Sequence, residues 1–221
     1  ILDKIDKKLE NIYITDNYKN YNFSNFLKLR QVGFSNKILE KLLNKNGTLV
    51  IEVQYLLNTL KDLTFDNIYH EHYNYWSLTS LVNFFNKFNS KIFRSEIIDT
   101  HGGSIRIYVK KDKKAKVEKS VKQMLKDEEK FGIKKFETYK KFGEKVYKIR
   151  ENILKNFNKL KKSHKKIIGY GSPAKDTTAL NFYGISDQID FIVEDNLLKH
   201  NKFIPGVKIP IKSKEHVKNN N

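Results

Sequence analysis

One stretch, KKIIGYGSPAKDTTALNFYG at residues 165–184, constrains the fold more than any other part of the chain. A short apolar run precedes two glycines, and a segment rich in helix formers follows them. Gly169, Gly171 and Ala174 satisfy the G-x-G-x-x-G/A spacing of a strand, a tight turn and a helix. Such a turn offers free backbone N–H groups at the positive end of a helix dipole, where a phosphate binds well. The stretch predicts an α/β unit with a phosphate site, and a tight turn without a ligand is the alternative.

The residues around this turn indicate what the phosphate belongs to. Pro173 and Lys175 suit a diphosphate clamp at the start of the helix. Glu194 or Asp195 follows a second predicted strand, where a ribose-binding acid is expected. Only about 55 residues follow Lys166, too few for both halves of a dinucleotide-binding fold. We therefore expect a nucleotide here rather than a dinucleotide.

The rest of the chain predicts further α/β structure. Residues 35–53 predict a helix that Gly47 closes, followed by TLVIEV, a buried parallel strand. Further on, the patterns predict helices over LLNTLKDL and SLTSLVNFFNKFN, the second of which is capped by Ser77 or Thr79. They also predict an extended FDNIYHEH and strands in KIFRSEIID and GSIRIYVKK. Residues 114–163 predict two long helices that Gly132 separates. We predict an α/β fold in three parts, with residues 111–165 as a helical linker between residues 1–110 and 166–221.

Composition narrows the function classes. The absence of cysteine excludes disulfides and thiolate metal sites. The net charge is +18, but only four of the 43 basic residues are arginine, so a solvated lysine-rich surface is favoured over specific nucleic-acid binding. No apolar run reaches the roughly 18 residues of a membrane span and no signal peptide opens the chain, so we expect a cytoplasmic protein without a membrane partner. Because the chain begins at Ile1 and its only methionine is Met124, we expect a fragment truncated at its N-terminus.

FDNIYHEHYNYWS, residues 65–77, concentrates groups that transfer protons. In a strand, His70 and His72 share one face and Glu71 points the other way. Two histidines at that spacing, with His101 as a third, are compatible with a zinc or iron site. A histidine beside a carboxylate and Tyr69 also suits removal of a proton next to a carbonyl. A polar cluster at a domain seam is the third interpretation, and we predict no bound metal.

THGGSIR, residues 100–106, forms the third constellation. Gly102 and Gly103 with Ser104 predict a turn of backbone donors after His101. Arg106 lies on the strand that follows, where it is a candidate to face an anion. A plain hairpin turn is the alternative.

Taken in order, three motifs resemble those of the sugar C-methyltransferases. These motifs are FDNIYHEHYNYWSLTSL, then HGGSIRIYVKK, then IIGYGSPAKDTTALN with FIPGVKIPI. The family pattern reads like Y-H-E-H-x-x-Y-x-S, then H-G-G-S-x-R, then G-Y-G-A-P-A-K-G-N-T, and the resemblance covers about residues 47 to 212. The family transfers a methyl group from S-adenosylmethionine to a carbon of a nucleotide-linked keto sugar.

The resemblance implies a fold and a set of site residues. Residues 1–110 would be the C-terminal half of a Rossmann-like methyltransferase domain, and residues 166–221 a small Rossmann-like domain on the nucleotide-sugar side. Tyr69, Glu71 and His72 fall on active-site positions, with His72 as the base that removes the proton next to the keto group. The substrate-binding residues would be His101, Gly102, Gly103, Ser104, Arg106, Tyr170, Gly171, Ser172 and Lys175. A non-catalytic nucleotide or nucleotide-sugar binding module is the alternative function, and a lysine-rich nucleic-acid binder is a third.

Overall fold

A computed structural model describes residues 9–15, 43–69, 72, 74–100, 102–163 and 165–218. The chain forms two compact units. The N-terminal unit comprises Ile1–Asp62 and Asn74–Thr138, and the C-terminal unit comprises Leu63–Tyr73 and Tyr139–Asn221. The α/β class is confirmed, and the three predicted parts stay a prediction. Within the described ranges, no helix is both long and apolar enough to cross a membrane.

A mixed sheet organises the N-terminal unit. Its strands are β1 (Leu9–Thr15), β2 (Leu43–Gln54), β3 (Lys91–Ile98) and β4 (Ser104–Lys110), in the order β1-β2-β4-β3. The β1 and β2 strands run parallel, whereas β4 lies antiparallel to both β2 and β3. The apolar side chains of β4 are buried and alternate with half-buried polar ones, as the sequence predicted. This alternation leaves Arg106 and Tyr108 on a face of the sheet that is partly open to solvent.

The β2 strand begins earlier than its sequence pattern indicated. Residues 43–47 lie within β2, where Leu43 pairs with Leu9 of β1, so the prediction that Gly47 closes a helix is wrong. Asn44 and Asn46 are weak helix formers, and hydrogen bonding to β1 overrides the local helical spacing. The predicted helical residues 35–42 lie outside the described residues. The buried strand TLVIEV itself is confirmed, with Leu49 and Ile51 both 1% exposed.

Three helices complete the N-terminal unit in the described ranges: α1 (Leu56–Asp62), α2 (Leu78–Asn86) and α3 (Lys119–Phe131). Ser77 caps α2, as predicted, by accepting a hydrogen bond from the Ser80 N–H. Gly132 ends α3 with a φ of 85°, a left-handed conformation that glycine adopts without strain. The predicted break at Gly132 is therefore confirmed.

The C-terminal unit is built on a short parallel sheet. After the long helix α4 (Phe136–Lys162), which enters this unit at Tyr139, the elements are β5 (Ile168–Tyr170), α5 (Ala174–Tyr183), β6 (Phe191–Val193), β7 (Ile211–Lys212) and α6 (Lys214–Lys218). The strands are parallel in the order β5-β6-β7. A cluster of four isoleucines forms the core beside them: Ile192, Ile204, Ile209 and Ile211. The predicted strand, glycine turn and helix are confirmed, and they place the turn at the carboxyl end of β5.

Candidate functional site

The loop that carries the first motif folds with the C-terminal unit. Phe65 begins a 3₁₀ turn, Phe65–Asn67, and is 8% exposed. Its ring centroid lies 4.8 Å from that of Phe182 and 5.6 Å from that of Tyr183, both on α5. Burying such a ring contributes about 1.5–3 kcal/mol, and each aromatic pair adds up to about 1.5 kcal/mol. Phe65 therefore fixes the start of the motif loop on the unit that holds the glycine turn.

A 3₁₀ turn replaces the extended conformation that was predicted for the first residues of FDNIYHEH, and His70 and Glu71 of this stretch lie outside the described residues. The Ile68 N–H donates to the Phe65 carbonyl over 2.9 Å, and the His72 N–H donates to the Tyr69 carbonyl over 3.0 Å. The prediction failed because Phe65 gains more from packing against α5 than an isolated extended segment gains from solvent. The prediction that His70 and His72 share one face while Glu71 points the other way stays a prediction, because His70 and Glu71 lie outside the described residues.

Tyr69 and His72 lie against each other. Their rings meet edge to face with centroids 4.8 Å apart, and both residues are half-buried. A half-buried imidazole against an aromatic edge has a restricted orientation, which suits a positioned base. His70, Glu71 and Tyr73 lie outside the described residues. Among the described residues, no three metal-ligating side chains cluster.

Glycine is needed at two positions of the turn after β5 for reasons that involve no ligand. Gly171 has a φ of 85°, and its N–H donates to the Val193 carbonyl over 2.7 Å. A Cβ on Gly169 would lie 2.9 Å from Cγ1 of Ile192, so a side chain there would force β5 away from β6. A Cβ on Gly171 would meet only Pro173 Cδ, at 3.8 Å. The spacing that predicted a phosphate site is thus also a solution to strand packing and turn geometry.

Glu194, at the end of β6, occupies the place where an anion was predicted. Its Oε2 accepts hydrogen bonds from the Ser172 N–H over 2.9 Å and from the Ser172 hydroxyl. Its Oε1 accepts from the Asn196 N–H over 3.0 Å. Lys199 Nζ lies 3.3 Å from Oε2 and donates to the Ser172 carbonyl over 2.7 Å.

These hydrogen bonds have an electrostatic consequence. The Ser172 hydroxyl and the Asn196 N–H, with a contribution from Lys199, lower the pKa of Glu194 to about 2. The carboxylate is therefore ionised and fully engaged inside the chain. The ribose-binding role predicted for Glu194 or Asp195 stays a prediction, and within the chain Glu194 holds Ser172 and Asn196.

Tyr170 presents an exposed aromatic ring beside the glycine turn. It is 72% exposed, yet its hydroxyl donates to Asp195 Oδ2 over 2.6 Å, and Lys214 Nζ lies 2.9 Å from Asp195 Oδ1. The Tyr170 hydroxyl, followed by Lys214, lowers the pKa of Asp195, and the hydrogen bond to Asp195 raises the pKa of Tyr170. A ring held at its hydroxyl and open on its faces can stack against a planar ligand.

The first turn of α5 carries one cation and one acid. Lys175 is half-buried and makes no ion pair with another described residue. Burial, and then the nearby Asp66 carboxylate, raise the pKa of Asp176. Lys175 is accordingly the cation of this turn that remains available to a ligand, since Lys199 is engaged by Glu194.

The second glycine turn lies between β3 and β4 in the N-terminal unit. Gly102 and Gly103 have φ values of 82° and 102°. A Cβ on Gly103 would lie 2.0 Å from Nδ2 of Asn58, so only glycine fits there without displacing that side chain. The Ser104 hydroxyl donates to the Thr100 carbonyl over 3.3 Å, within the turn. His101 lies outside the described residues.

Arg106 is engaged by carboxylates of its own sheet. Its Nε and one Nη donate to Glu52 Oε2 over 3.1 and 2.7 Å, and the other Nη donates to Glu96 Oε1 over 3.3 Å. Thr100 donates its hydroxyl to the other oxygen of Glu52 over 3.2 Å. An anionic ligand would have to compete with both acids for the guanidinium. The contacts therefore make Arg106 a support of the glycine turn through Glu52 and Thr100.

Comparison with known proteins relates these features to a family. A sequence profile of the C-methyltransferase C-terminal domain matches residues 99–221, more than half of the chain. The chain belongs to the C-methyltransferase C-terminal domain family. It is also 34% identical over 176 residues to C-methyltransferase NovU of Streptomyces niveus. The match covers 79% of this chain and 42% of NovU, so the chain spans less than half the length of that curated relative.

The residues that match the C-methyltransferase C-terminal domain include the Gly171 turn, Tyr170 and α5. Tyr69 and His72 precede it in sequence but belong to the same compact unit. Sequence reasoning missed the structural roles of Glu52 and Lys199. Neither residue belongs to a local motif, and a pairing of β2 with β4 is the signal that would have drawn attention to Glu52.

Proposed function

We propose that this chain takes part in S-adenosylmethionine-dependent C-methylation of a nucleotide-linked keto sugar. Membership of the C-methyltransferase C-terminal domain family supports methyl transfer to carbon. The ordered motifs around His72, Gly103 and Gly171 support a nucleotide-linked sugar as the substrate. The proposal includes Rossmann-like folds for both units and a cytoplasmic location.

The observation that carries this proposal is the juxtaposition of Tyr69 and His72 in one turn of the unit that also holds the Gly171 turn. His72 acts as the base: an imidazole nitrogen takes the proton from the carbon next to the keto group, and the electron pair moves to the keto oxygen as an enolate. Tyr69 donates a hydrogen bond to the enolate oxygen. Glu71, outside the described residues, orients the sugar.

The methyl donor contributes an electrophilic methyl group on a sulfonium. The described residues of the N-terminal unit include no glycine-rich turn from a parallel strand into a helix, which is the element expected to hold such a cofactor. These described residues do not fit a complete donor site. Proton removal is the part of the reaction that these residues support.

The nucleotide is assigned to the edge around Gly171. The base stacks on the exposed ring of Tyr170, and Lys175 contacts the diphosphate. Because Glu194 already accepts the Ser172 N–H, the diphosphate lies against the Gly171 face and depends more on the Lys175 side chain than on backbone donors. The N-terminal unit supplies the other candidate substrate-binding residues, His101, Gly102, Gly103, Ser104 and Arg106, with Arg106 acting through Glu52.

Exchange of the acidic carbon-bound hydrogen of the sugar with deuterated water tests this function, because proton removal needs no methyl donor. We expect this chain, incubated with nucleotide-linked keto sugars, to catalyse deuterium incorporation that mass spectrometry detects. A fusion of this chain to the part of NovU that it does not match, supplied with S-adenosylmethionine, should add a methyl group. Retention of the hydrogen by every sugar in both proteins would exclude the proposed reaction.

His72→Ala should lower the exchange rate at least about 100-fold, the usual contribution of a general base. His216→Ala is the matched control, since His216 is also half-buried and meets Phe191 edge to face with centroids 5.0 Å apart. The control should retain the wild-type rate. Unchanged exchange in His72→Ala would assign the base to another residue, and Glu71→Ala would then be the variant to lose activity.

A non-catalytic nucleotide-binding module is the second candidate. The exposed ring of Tyr170 and the available Lys175 favour it, because both suit nucleotide binding and neither removes a proton. It predicts that a nucleoside diphosphate raises the melting temperature while no keto sugar exchanges its hydrogen. The two measurements together separate the candidates.

A further inference from the structure

Arg150, on α4, is one of only four arginines among the 43 basic residues of the chain. Its Nε donates to the Phe182 carbonyl over 2.7 Å, and its Cζ lies 5.9 Å from the centroid of the Phe182 ring. Both residues belong to the C-terminal unit. A lysine carries the same charge, but only arginine has a planar fork that hydrogen-bonds and stacks in a fixed orientation. The residue type therefore matches the task of holding Phe182 in place.

The hydrogen bond from Arg150 completes the C-terminal end of α5. The last carbonyls of a helix have no intrahelical partner, and they carry the negative end of its dipole. Gly184 ends α5 with a φ of 68°, and its N–H donates to the Leu180 carbonyl over 3.1 Å. Arg150 satisfies the Phe182 carbonyl and places a positive charge beside it. The end of α5 is thereby fixed to α4.

The Phe182 ring contacts both α4 and the motif loop. Tyr147 lies three positions before Arg150, on the same face of α4, and its ring meets that of Phe182 edge to face with centroids 5.5 Å apart. The Phe65 ring lies 4.8 Å from the Phe182 ring and is buried. Because buried rings are closely packed, a displacement of Phe182 must displace Phe65 as well.

Hydrogen bonds connect Phe65 to the candidate base. The Phe65 carbonyl accepts the Ile68 N–H over 2.9 Å, and the Asn67 carbonyl accepts the Tyr69 N–H over 3.1 Å. The Tyr69 carbonyl accepts the His72 N–H over 3.0 Å, and the rings of these two residues lie 4.8 Å apart. Every contact on this path lies within the C-terminal unit.

We propose that Arg150 is a positioning residue for proton abstraction: by holding Phe182, it fixes the packing of the loop that carries Tyr69 and His72. This inference rests on the proposed function. Lys175, the candidate diphosphate ligand, lies in the first turn of α5, about 10 Å along the helix from Phe182. Loss of the Arg150 contacts should therefore lower the catalytic rate constant and leave substrate affinity nearly unchanged.

Arg150→Met is the direct test, because methionine keeps an unbranched apolar stem without a donor or a charge. At a temperature where circular dichroism shows the native fold, we expect kcat for exchange of the sugar hydrogen to fall about tenfold, as for a slightly misplaced catalytic group, with KM within about twofold. Arg150→Lys can still donate to the Phe182 carbonyl, so its kcat should fall no more than about threefold. Lys148→Met, at an exposed position of the same helix, should match the wild type.

Amide hydrogen exchange, followed by mass spectrometry, supplies a readout that does not need the sugar. In Arg150→Met, residues 65–69 should lose protection while residues 169–176 keep it. Wild-type kcat in a variant whose residues 65–69 have lost protection would reduce Arg150 to a structural residue and overturn the inference. Unchanged protection of residues 65–69 would refute the link from Arg150 to the loop.

Failure of the proposed function would look different. Absence of sugar exchange in the wild type would refute that function and, with it, the catalytic role of Arg150. The amide measurement would still decide whether Arg150 holds the loop.

Should Arg150→Met not fold, Phe182→Leu gives the decision. It keeps the carbonyl that Arg150 binds and removes the ring that contacts Phe65. We expect kcat to fall about threefold, with loss of protection in residues 65–69, because an aromatic pair is lost from the packing of the loop. Wild-type kcat in folded Phe182→Leu would contradict the proposed path from α5 to the motif loop.

Discussion

The two glycine turns, one in each unit, are built in the same way from unrelated sequences. Each is held by a glutamate from a neighbouring strand segment: Glu52 lies on β2, and Glu194 directly follows β6. Each glutamate accepts the hydroxyl of a turn residue, Thr100 or Ser172, and pairs with a cation of its own unit.

The difference lies in what remains open. Around Gly103, Arg106 is surrounded by two acids and Asn58 fills the space beside the glycine. Around Gly171 the space is open and Lys175 has no acidic partner among the described residues. The Gly103 turn is therefore enclosed by its neighbours, whereas the Gly171 turn is held by its neighbours and remains accessible to a ligand.

Adding a methyl group to each glycine tests this contrast most strongly. Gly103→Ala should destabilise its unit by about 2–4 kcal/mol, because the φ of 102° is strained for alanine and Cβ overlaps Asn58. Gly171→Ala should cost only about 1–2 kcal/mol, the price of a left-handed φ without a clash. Urea denaturation measures both values, with Gly143→Ala, on helix α4, as a control that should stabilise or leave stability unchanged. Equal costs at positions 103 and 171 would remove the distinction.

Nucleotide affinity gives the second test. Lys175→Ala should weaken the binding of a nucleoside diphosphate by about 1–3 kcal/mol, the range for a charge-assisted hydrogen bond, as measured by calorimetry. Arg106→Ala should change it by less than about 0.5 kcal/mol, because its donors already serve Glu52 and Glu96.

Lys202→Ala, an exposed lysine of the same unit as Lys175, controls for the loss of one positive charge. Glu52→Gln distinguishes the two roles of Arg106 by the direction in which ligand affinity changes. If Arg106 binds the ligand directly, neutralising Glu52 frees the guanidinium and tightens binding, and the assignment of Arg106 as a support is then wrong.

Lowering the pH should destabilise the Gly171 turn, and this is the smallest of the expected effects. The folded pKa of Glu194 is about 2, below the ordinary value near 4.3, so its contribution to stability is complete above pH 4.3 and declines as the pH falls towards 2. After allowance for solvent screening, we expect about 1–2 kcal/mol.

The measurement is amide hydrogen exchange of residues 169–176 between pH 5 and pH 2, corrected for intrinsic rates. Protection in Glu194→Gln should not follow this pH dependence, because glutamine does not titrate. Parallel curves for the two proteins would show that Glu194 does not hold the turn.

Local pattern predicted the elements that depend on local chemistry. Ser77 as a cap, the break at Gly132 and the strand before Gly169 all follow from residues within a few positions of one another. The helix predicted for residues 43–47 was wrong because a partner strand determines their conformation. The extended conformation predicted from Phe65 onwards was wrong because a helix more than 100 positions later packs against Phe65.

The candidate site shows the same limit. The motifs located Tyr69, His72 and Gly171. They did not locate the distant side chains that hydrogen-bond to other residues of the motifs. Glu52 pairs directly with Arg106 across β2 and β4, 54 positions away, and Tyr55 reaches Glu128 over 73 positions. Such pairs are set by register and helix packing, which no short spacing encodes.

The membership of residues 63–73 in the C-terminal unit constrains how such chains can be recombined. Phe65 packs on α5, whereas the segments on either side of the loop belong to the other unit. A crossover between homologues at any point from residue 74 to residue 138 would therefore join a loop from one parent to an α5 from the other. Functional chimeras, whether assembled in the laboratory or by gene exchange, should be those that inherit residues 63–73 and residues 139–221 from the same parent.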